Sequence, residues 1–284
     1  MSFSVNFWGV RGTLATPLAS HLGYGGNTSC VEVVCGDQVI VLDAGTGLRQ
    51  LGKRFIRDGV GEATLLLSHT HLDHIAGFPF FEPGYRPDFR LKVMGGHAGT
   101  GACLRQVLEK AMEAPLFPVP LSTMRACVGF EDFRPGAEFS LGEVRVRTAE
   151  LNHPGGAVGY RIEHDGHSVC YVTDTEHPET GFDRAVLGLI EGADLVIYDS
   201  SYTDEEYAAR RGWGHSTWRE GIRLAREAGA KRLCLFHHDP DHDDARMAAI
   251  EREARAEWTP VFAAREGARV ELSARGGVKR AAVA

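Results

Sequence analysis

The chain has no C-x-x-C pair, although its 284 residues include six cysteines (Cys30, Cys35, Cys103, Cys127, Cys170 and Cys234). That absence removes the spacing of thiolate zinc sites and redox dithiols. The cysteines lie mostly in apolar runs, as buried intracellular thiols do, so no disulfides are expected. No stretch approaches 18 consecutive apolar residues, and the start, Met1 to Gly9, lacks a basic segment followed by an apolar one. Neither a membrane span nor a secretory leader is expected, and the default location is the cytoplasm. Acidic residues outnumber basic ones, 38 to 31. A net charge of −7 gives no general attraction to polyanions, so a nucleic-acid partner would need a local basic patch. What is present, 43% apolar and 24% charged residues, suits a soluble α/β sandwich forming one domain over residues 1–284.

The most informative stretch is Leu65-Leu66-Leu67-Ser68-His69-Thr70-His71-Leu72-Asp73-His74, which places three imidazoles and a carboxylate in six residues directly after an apolar run. A strand over about 64–68 would deliver them to a sheet edge, where the chain turns and side chains converge instead of alternating faces. Imidazole with carboxylate suits zinc, manganese or iron, and an open catalytic site takes about three protein ligands per ion. Four candidates so close together therefore suggest two ions. The alternative is a polar loop rich in histidine by chance; the strand before it and the partners downstream argue against that.

Those partners follow other strands. Phe3, Val5 and Phe7 alternate as a first strand, Cys30 to Val34 and Gln38 to Leu42 pair across the hairpin signal Gly36-Asp37, and Asp43 follows in a Gly-rich turn. Asp43 reads either as a helix cap or as an acceptor that orients a metal-bound imidazole. Leu48, Leu51 and Phe55 mark a helix closing near Gly59. Later, Val144 to Thr148 leads to His153, and Val158 to Glu163 pairs through Asp165-Gly166 with Ser168 to Val172, ahead of Asp174. The runs ending at Tyr198 and Phe236 stop at Asp199 and His237. Helical patterns around Phe182 to Ile190 and Trp218 to Ala225 lie between these strands, giving a layered α/β protein with its site along one sheet edge.

Residues 77–135 hold seven of the twelve prolines and read as a cap segment over the site, with a helix around Leu104 to Met112. The cluster His238, Asp239, Asp241, His242, Asp243 and Asp244 reads as a solvated acidic turn, with an extra ion site as the alternative.

The H-x-H-x-D-H pattern at 69–74, with His153, Asp174 and His237 in order, resembles the metallo-β-lactamase superfamily over nearly the whole chain. The resemblance implies a four-layer αβ/βα sandwich with two divalent ions, zinc first and manganese or iron as alternatives. His69, His71 and His153 would hold one ion and Asp73, His74 and His237 the other, with Asp174 bridging; His238 competes with His237 for the last place. Asp73-His74 with a bridging aspartate is similar to the phosphodiesterase and RNA-processing branches, whereas a bridging-position cysteine would suggest lactamases. Two divalent ions carry about four positive charges, and Asp73, Asp174 and one hydroxide remove about three, leaving a centre suited to a phosphodiester anion.

Gly212-Trp213-Gly214-His215-Ser216-Thr217 supplies a second discriminant. Thr217 with Glu220 reads as a capping box, which puts His215 just before a helix N-terminus, where anions are favoured. The segment is similar to one in RNase Z relatives and compact cyclic phosphodiesterases, where the histidine contacts phosphate or protonates the leaving oxygen; the plain alternative is a surface histidine. True tRNA-processing enzymes carry a long insertion between the counterparts of His153 and Asp174. Here twenty residues intervene.

The expectation is a dinuclear phosphodiesterase acting on a small substrate, a cyclic nucleotide or cyclic phosphoribosyl compound, with no stable nucleic-acid partner, no membrane association and a homodimer possible. A hydroxide activated by two ions would attack phosphorus in line, with Asp73 as ligand and hydrogen-bond acceptor and His215 as acid or electrostatic stabiliser. The alternatives are ester, thioester or lactone hydrolysis on the same centre and an RNase Z-like endonuclease.

Overall fold

The apolar runs that end at Leu42, Leu67, Val172, Tyr198 and Phe236 do not alternate with polar residues, because each strand is covered on both faces. A computed structural model describes residues 3–96, 103–272 and 278–280. The chain begins with antiparallel strands β1 (Phe3–Gly9), β2 (Cys30–Cys35) and β3 (Gln38–Leu42) and crosses by helix α1 (Leu48–Asp58) to parallel β4 (Glu62–Leu67). The short α2 (Leu72–Ile75) precedes β5 (Arg90–Gly95), α3 (Leu104–Ala111) and β6 (Cys127–Asp132). Strands β7 (Glu138–Leu141), β8 (Val144–Leu151), β9 (Ala157–His164) and β10 (His167–Val172) then form an antiparallel meander. Helix α4 (Arg184–Ile190), β11 (Leu195–Asp199), α5 (Asp204–Tyr207), α6 (Trp218–Glu227), β12 (Leu233–Phe236), α7 (Asp244–Glu257) and β13 (Val261–Ala263) extend it by parallel strands, and β14 (Ala268–Glu271) with β15 (Val278–Arg280) returns to β1.

Among the described residues the strands make two sheets, ordered β15-β14-β1-β2-β3-β4-β5-β6 and β13-β12-β11-β10-β9-β8-β7. Strand periodicity sorts the side chains into layers. Val31, Val33, Ile40, Leu42 and Leu66 of the first sheet meet Tyr160, Val169, Tyr171, Ile197 and Phe236 of the second in a shared inner core. Their sequence neighbours point outward: Val41, Leu65 and Leu67 pack with Leu51 and Phe55 of α1 and Leu104 and Leu108 of α3. On the other side Cys170, Val172, Val196 and Leu235 pack with Leu189 of α4, Ile222 of α6 and Ile250 of α7. The result is the four-layer αβ/βα sandwich. Helix α1 ends where Gly59 takes the left-handed conformation (φ 70°) and its N–H reaches back to Phe55 O and Ile56 O, as the sequence suggests.

The Pro-rich segment 77–135 gives two strands, β5 and β6, to the first sheet, and much of the rest, including Phe81, Phe89 and Met112, joins the outer core beside α1. Residues 97–102 of that segment lie outside the described residues. All six cysteines are free; Cys103 and Cys127 are exposed, whereas the other four are buried. No helix among the described residues is long and apolar enough to cross a membrane.

Candidate metal centre

Strands β3, β4, β8, β10, β11 and β12 all direct their C-terminal ends to one edge, and each is followed by, or ends on, a residue with a donor side chain: Asp43, His69, His153, Asp174, Asp199 and His237. Hydrogen bonds between the sheets lock this edge: Val158 N donates to Ser68 O (2.9 Å) and Tyr160 OH to Leu67 O (2.6 Å). Helix α2 places Asp73 and His74 in its first turn, with His71 at its N-cap.

Two donor groups form within this edge. His69, His71 and His153 make one; Asp73, His74, Asp174 and His237 make the other, each with ligand atoms within 4.8 Å of one another. Asp174 lies between them. Its Oδ1 is 3.9 Å from His69 Nε2 and 3.8 Å from His153 Nε2, while its Oδ2 is 3.2 Å from both His74 Nε2 and His237 Nε2. Donors that share one zinc ion in tetrahedral geometry sit about 3.4 Å apart. His69 Nε2 is buried without a hydrogen-bond partner. An orphaned imidazole nitrogen amid neutral and anionic donors is what a divalent cation satisfies, so the residues fit the ions the fold implies.

Outer contacts aim each ring. Asp43 Oδ2 accepts from His74 Nδ1 (2.8 Å), Ser68 Oγ (2.8 Å) and Tyr171 OH (2.8 Å), and its Oδ1 accepts from Ser68 N (2.7 Å). Asp43 is therefore the orienting acceptor; the N-cap of α1 is Gly47. His153 Nδ1 donates to Gly214 O (2.8 Å), and Ser201 Oγ lies 3.1 Å from His237 Nδ1. Thr13 N donates to Asp73 Oδ2 (2.8 Å). Gly12 has to lack a side chain, since a Cβ there would lie 2.2 Å from His237 Nδ1.

The electrostatics suit cation binding. Burial, with the neighbouring His74, holds His69 well below the ordinary histidine range, and burial also lowers His153, so both rings are neutral, the form a cation requires. Burial opposes ionisation of Asp174, but the imidazoles of His237, His74 and His69 overcome it and keep the carboxyl well below the usual range. Burial likewise opposes charge on His74, yet Asp174, Asp73 and Asp43 together push it well above. The pocket is thus anionic enough to draw a proton where ions would sit.

His215 lies at the same edge, before α6. Its Nδ1 is 2.9 Å from Asp199 Oδ2 and 3.8 Å from Asp174 Oδ1. Burial disfavours the charged ring, but Asp199 more than offsets this and pushes it up to about 9. His215 also falls within two further groups of possible donors, with His153 and Asp174 and with Asp199 and His237. Asp199 in turn accepts from Ser201 N (3.1 Å), Ser201 Oγ (2.8 Å) and Thr175 N (3.3 Å). Asp199 ends an apolar strand, as Asp43 and Asp174 nearly do, but no local motif marks it, Ser201 or Thr13 as part of the site.

Thr217 Oγ1 does accept from Glu220 N (3.2 Å), but Glu220 does not reach back; its carboxylate pairs with Arg223 (2.6 Å), so the capping box is half formed. A complete box occurs at Thr203 and Glu206. His238 does not compete with His237: it is buried beside Tyr24 with Nε2 donating to Ala264 O (2.9 Å). The acidic residues after it have structural partners: Asp243 caps α7, Asp244 accepts from Gly23 N and Tyr24 N, and the carbonyls of Asp239 and His242 accept from the buried Arg11.

Comparison with known proteins agrees with this geometry. A ribonuclease Z from Haloarcula marismortui is 24% identical over 286 residues, covering 84% of this chain and 86% of that one. The structure of YhfI from Bacillus subtilis, a metallo-beta-lactamase fold protein, aligns with a TM-score of 0.72 at 22% identity over 96% of this chain and 100% of its own. A diphosphatase from the PhnP family aligns with a TM-score of 0.68 at 16% identity, covering 95% and 98%. Residues 38–238 match the family described as the Beta-lactamase superfamily domain. With the fold, the His/Asp cluster and the family match in agreement, the chain belongs to the beta-lactamase superfamily, as a metal-dependent hydrolase.

Proposed function

We propose that the protein hydrolyses a small phosphodiester, a cyclic nucleotide or cyclic phosphoribosyl compound, on two divalent ions held by the groups that meet at Asp174. The observation that carries this reading is the pairing of that two-sided donor set with His215, whose Nδ1 is engaged by Asp199 (2.9 Å). Two ions bound there, zinc in the first instance, supply Lewis acidity and a hydroxide nucleophile at neutral pH.

The protein's own residues do the rest. His69, His71 and His153 would hold one ion and Asp73, His74 and His237 the other, with Asp174 placed between the two groups. Asp73 Oδ2, already anchored by Thr13 N, is the acceptor that orients the nucleophile. With Nδ1 tied to Asp199, His215 has Nε2 to carry a proton to the leaving oxygen or to bind a phosphoryl oxygen.

The short link between His153 and Asp174 favours a small substrate. Strands β9 and β10 with the Asp165-Gly166 turn take up most of it, leaving no room for a tRNA-gripping insertion. No stable nucleic-acid partner is proposed. A ribonuclease Z-like activity is the second reading, favoured by the likeness to the Haloarcula marismortui enzyme over most of both chains. Measured kcat/KM for cyclic mononucleotides, a pre-tRNA and a lactone and ester panel separates them. Cyclic mononucleotides should be cleaved far faster than pre-tRNA. Faster tRNA processing overturns the small-substrate reading, and lactone turnover without phosphodiester turnover overturns the reaction class.

A further inference from the structure

Glu176 follows β10 by four residues and stands two beyond Asp174, yet it touches neither donor group. Its half-buried carboxylate is instead filled by the loop that carries His215. Gly212 N donates to both oxygens (2.8 and 2.8 Å) and Gly214 N to Oε2 (2.9 Å), while Tyr207 OH reaches Oε1 (3.2 Å). Gly212 and Gly214 have φ of 84° and 85°, a backbone shape that turns amides toward one anion. The main chain of Glu176 is tied to the loop that carries His153: its N donates to Asn152 O (2.8 Å) and its O accepts from Asn152 Nδ2 (2.9 Å).

These contacts converge on one carbonyl. Gly214 O accepts the Nδ1 proton of His153 (2.8 Å), leaving His153 Nε2 to face Asp174 Oδ1. Gly214 is also the residue before His215. A carboxylate that holds Gly214 N therefore sets both the carbonyl that selects the His153 tautomer and the approach of His215. Next to it, His177 Nδ1 pairs with Ser216 Oγ (2.8 Å), so the loop is held on both sides of His215.

We infer that Glu176 is a positioning residue that couples the ligand nitrogen of His153 to the placement of His215 through the Gly212–Gly214 turn. The inference rests on the roles proposed above for His153 and His215. Glutamine at 176 would offer one acceptor oxygen to two amides and present an NH2 group to the other, whereas aspartate would keep both oxygens on a shorter stem.

The test titrates metal-free wild type, Glu176→Gln and Glu176→Asp with Co2+, followed by visible absorption, with thermal unfolding of the metal-free proteins alongside. Glu176→Gln should bind one of the two Co2+ equivalents on the order of 10-fold or more weakly, while its metal-free form unfolds close to the wild-type temperature. Its kcat should fall more for an alkyl phosphodiester than for a p-nitrophenyl one, because His215 is displaced with the loop. Glu176→Asp should retain more affinity than Glu176→Gln. Wild-type titration and kinetics in Glu176→Gln overturn the inference; if that variant does not fold, an unchanged titration in Glu176→Asp overturns it. His153→Ala tests the underlying assignment separately: two Co2+ bound as in wild type would remove His153 from the ligands whatever Glu176 does.

Discussion

Asp199 Oδ2 lies 2.9 Å from His215 Nδ1, across sixteen positions of sequence, and joins the end of β11 to the turn before α6. The carboxylate fixes a proton on Nδ1 and leaves Nε2 without that partner. His215→Ala should lower kcat on the order of 10²-fold or more while leaving metal content unchanged. If proton donation is its main task, a p-nitrophenolate leaving group should show a smaller loss than an alkoxide. Equal losses would assign it to electrostatic stabilisation, and loss of metal would make it a ligand.

Asp174 offers one oxygen to each donor group, so its removal should dismantle the pair. Metal analysis of purified protein should find about two divalent ions per chain, and Asp174→Ala should lose at least one. Full occupancy after the substitution would sink the bridging role. Chelation of the wild type should abolish hydrolysis, and readdition of Zn2+ or Mn2+ should restore it.

His238 makes an acid-stability prediction. Burial first, and the nearby Arg11 second, lower its pKa from 6.5 to about 3. In the unfolded chain the ring takes up a proton near 6.5, so as pH falls the unfolded state binds it first. The stability contributed by the neutral ring is complete above about 6.5 and is lost progressively between about 6.5 and about 3. Denaturation midpoints of the metal-free protein should fall across that window, and fall less steeply in His238→Gln. Parallel curves for the two proteins would refute the assignment.

The layers and the principal donors were legible because they obey local rules. Runs such as Leu65 to Leu67 are apolar throughout and lead into dense donor sequences, and the Gly36-Asp37 and Asp165-Gly166 turns sit where hairpins need them. Helix α7 was missed because only Met247, Ile250 and Ala254 of its fourteen residues are buried, too sparse a stripe to stand out. Strands β13 to β15 have three or four residues each and owe their existence to neighbours. The partners of His215 and His153 were invisible for a different reason. Asp199 and Glu176 act across 16 and 38 positions on a side chain and a backbone amide, and no spacing rule links them. The Thr217 capping signal was half right because Arg223, one turn on, competes for the Glu220 carboxylate.

Among the described residues five other than glycine have positive φ, and four of them, Thr13, Asp43, Asp174 and His237, hold a donor or contact one directly. Aspartate and histidine tolerate that region; for the β-branched Thr13 it is a true outlier, costing about 1–3 kcal/mol. The edge that gathers the donors is therefore the one where the chain is bent against its own preference. Ions that bind only the assembled edge would offset that strain by mass action. Catalyst and clasp would then be the same atoms, and the protein should be stiffest at its most reactive place when loaded and softest there when stripped.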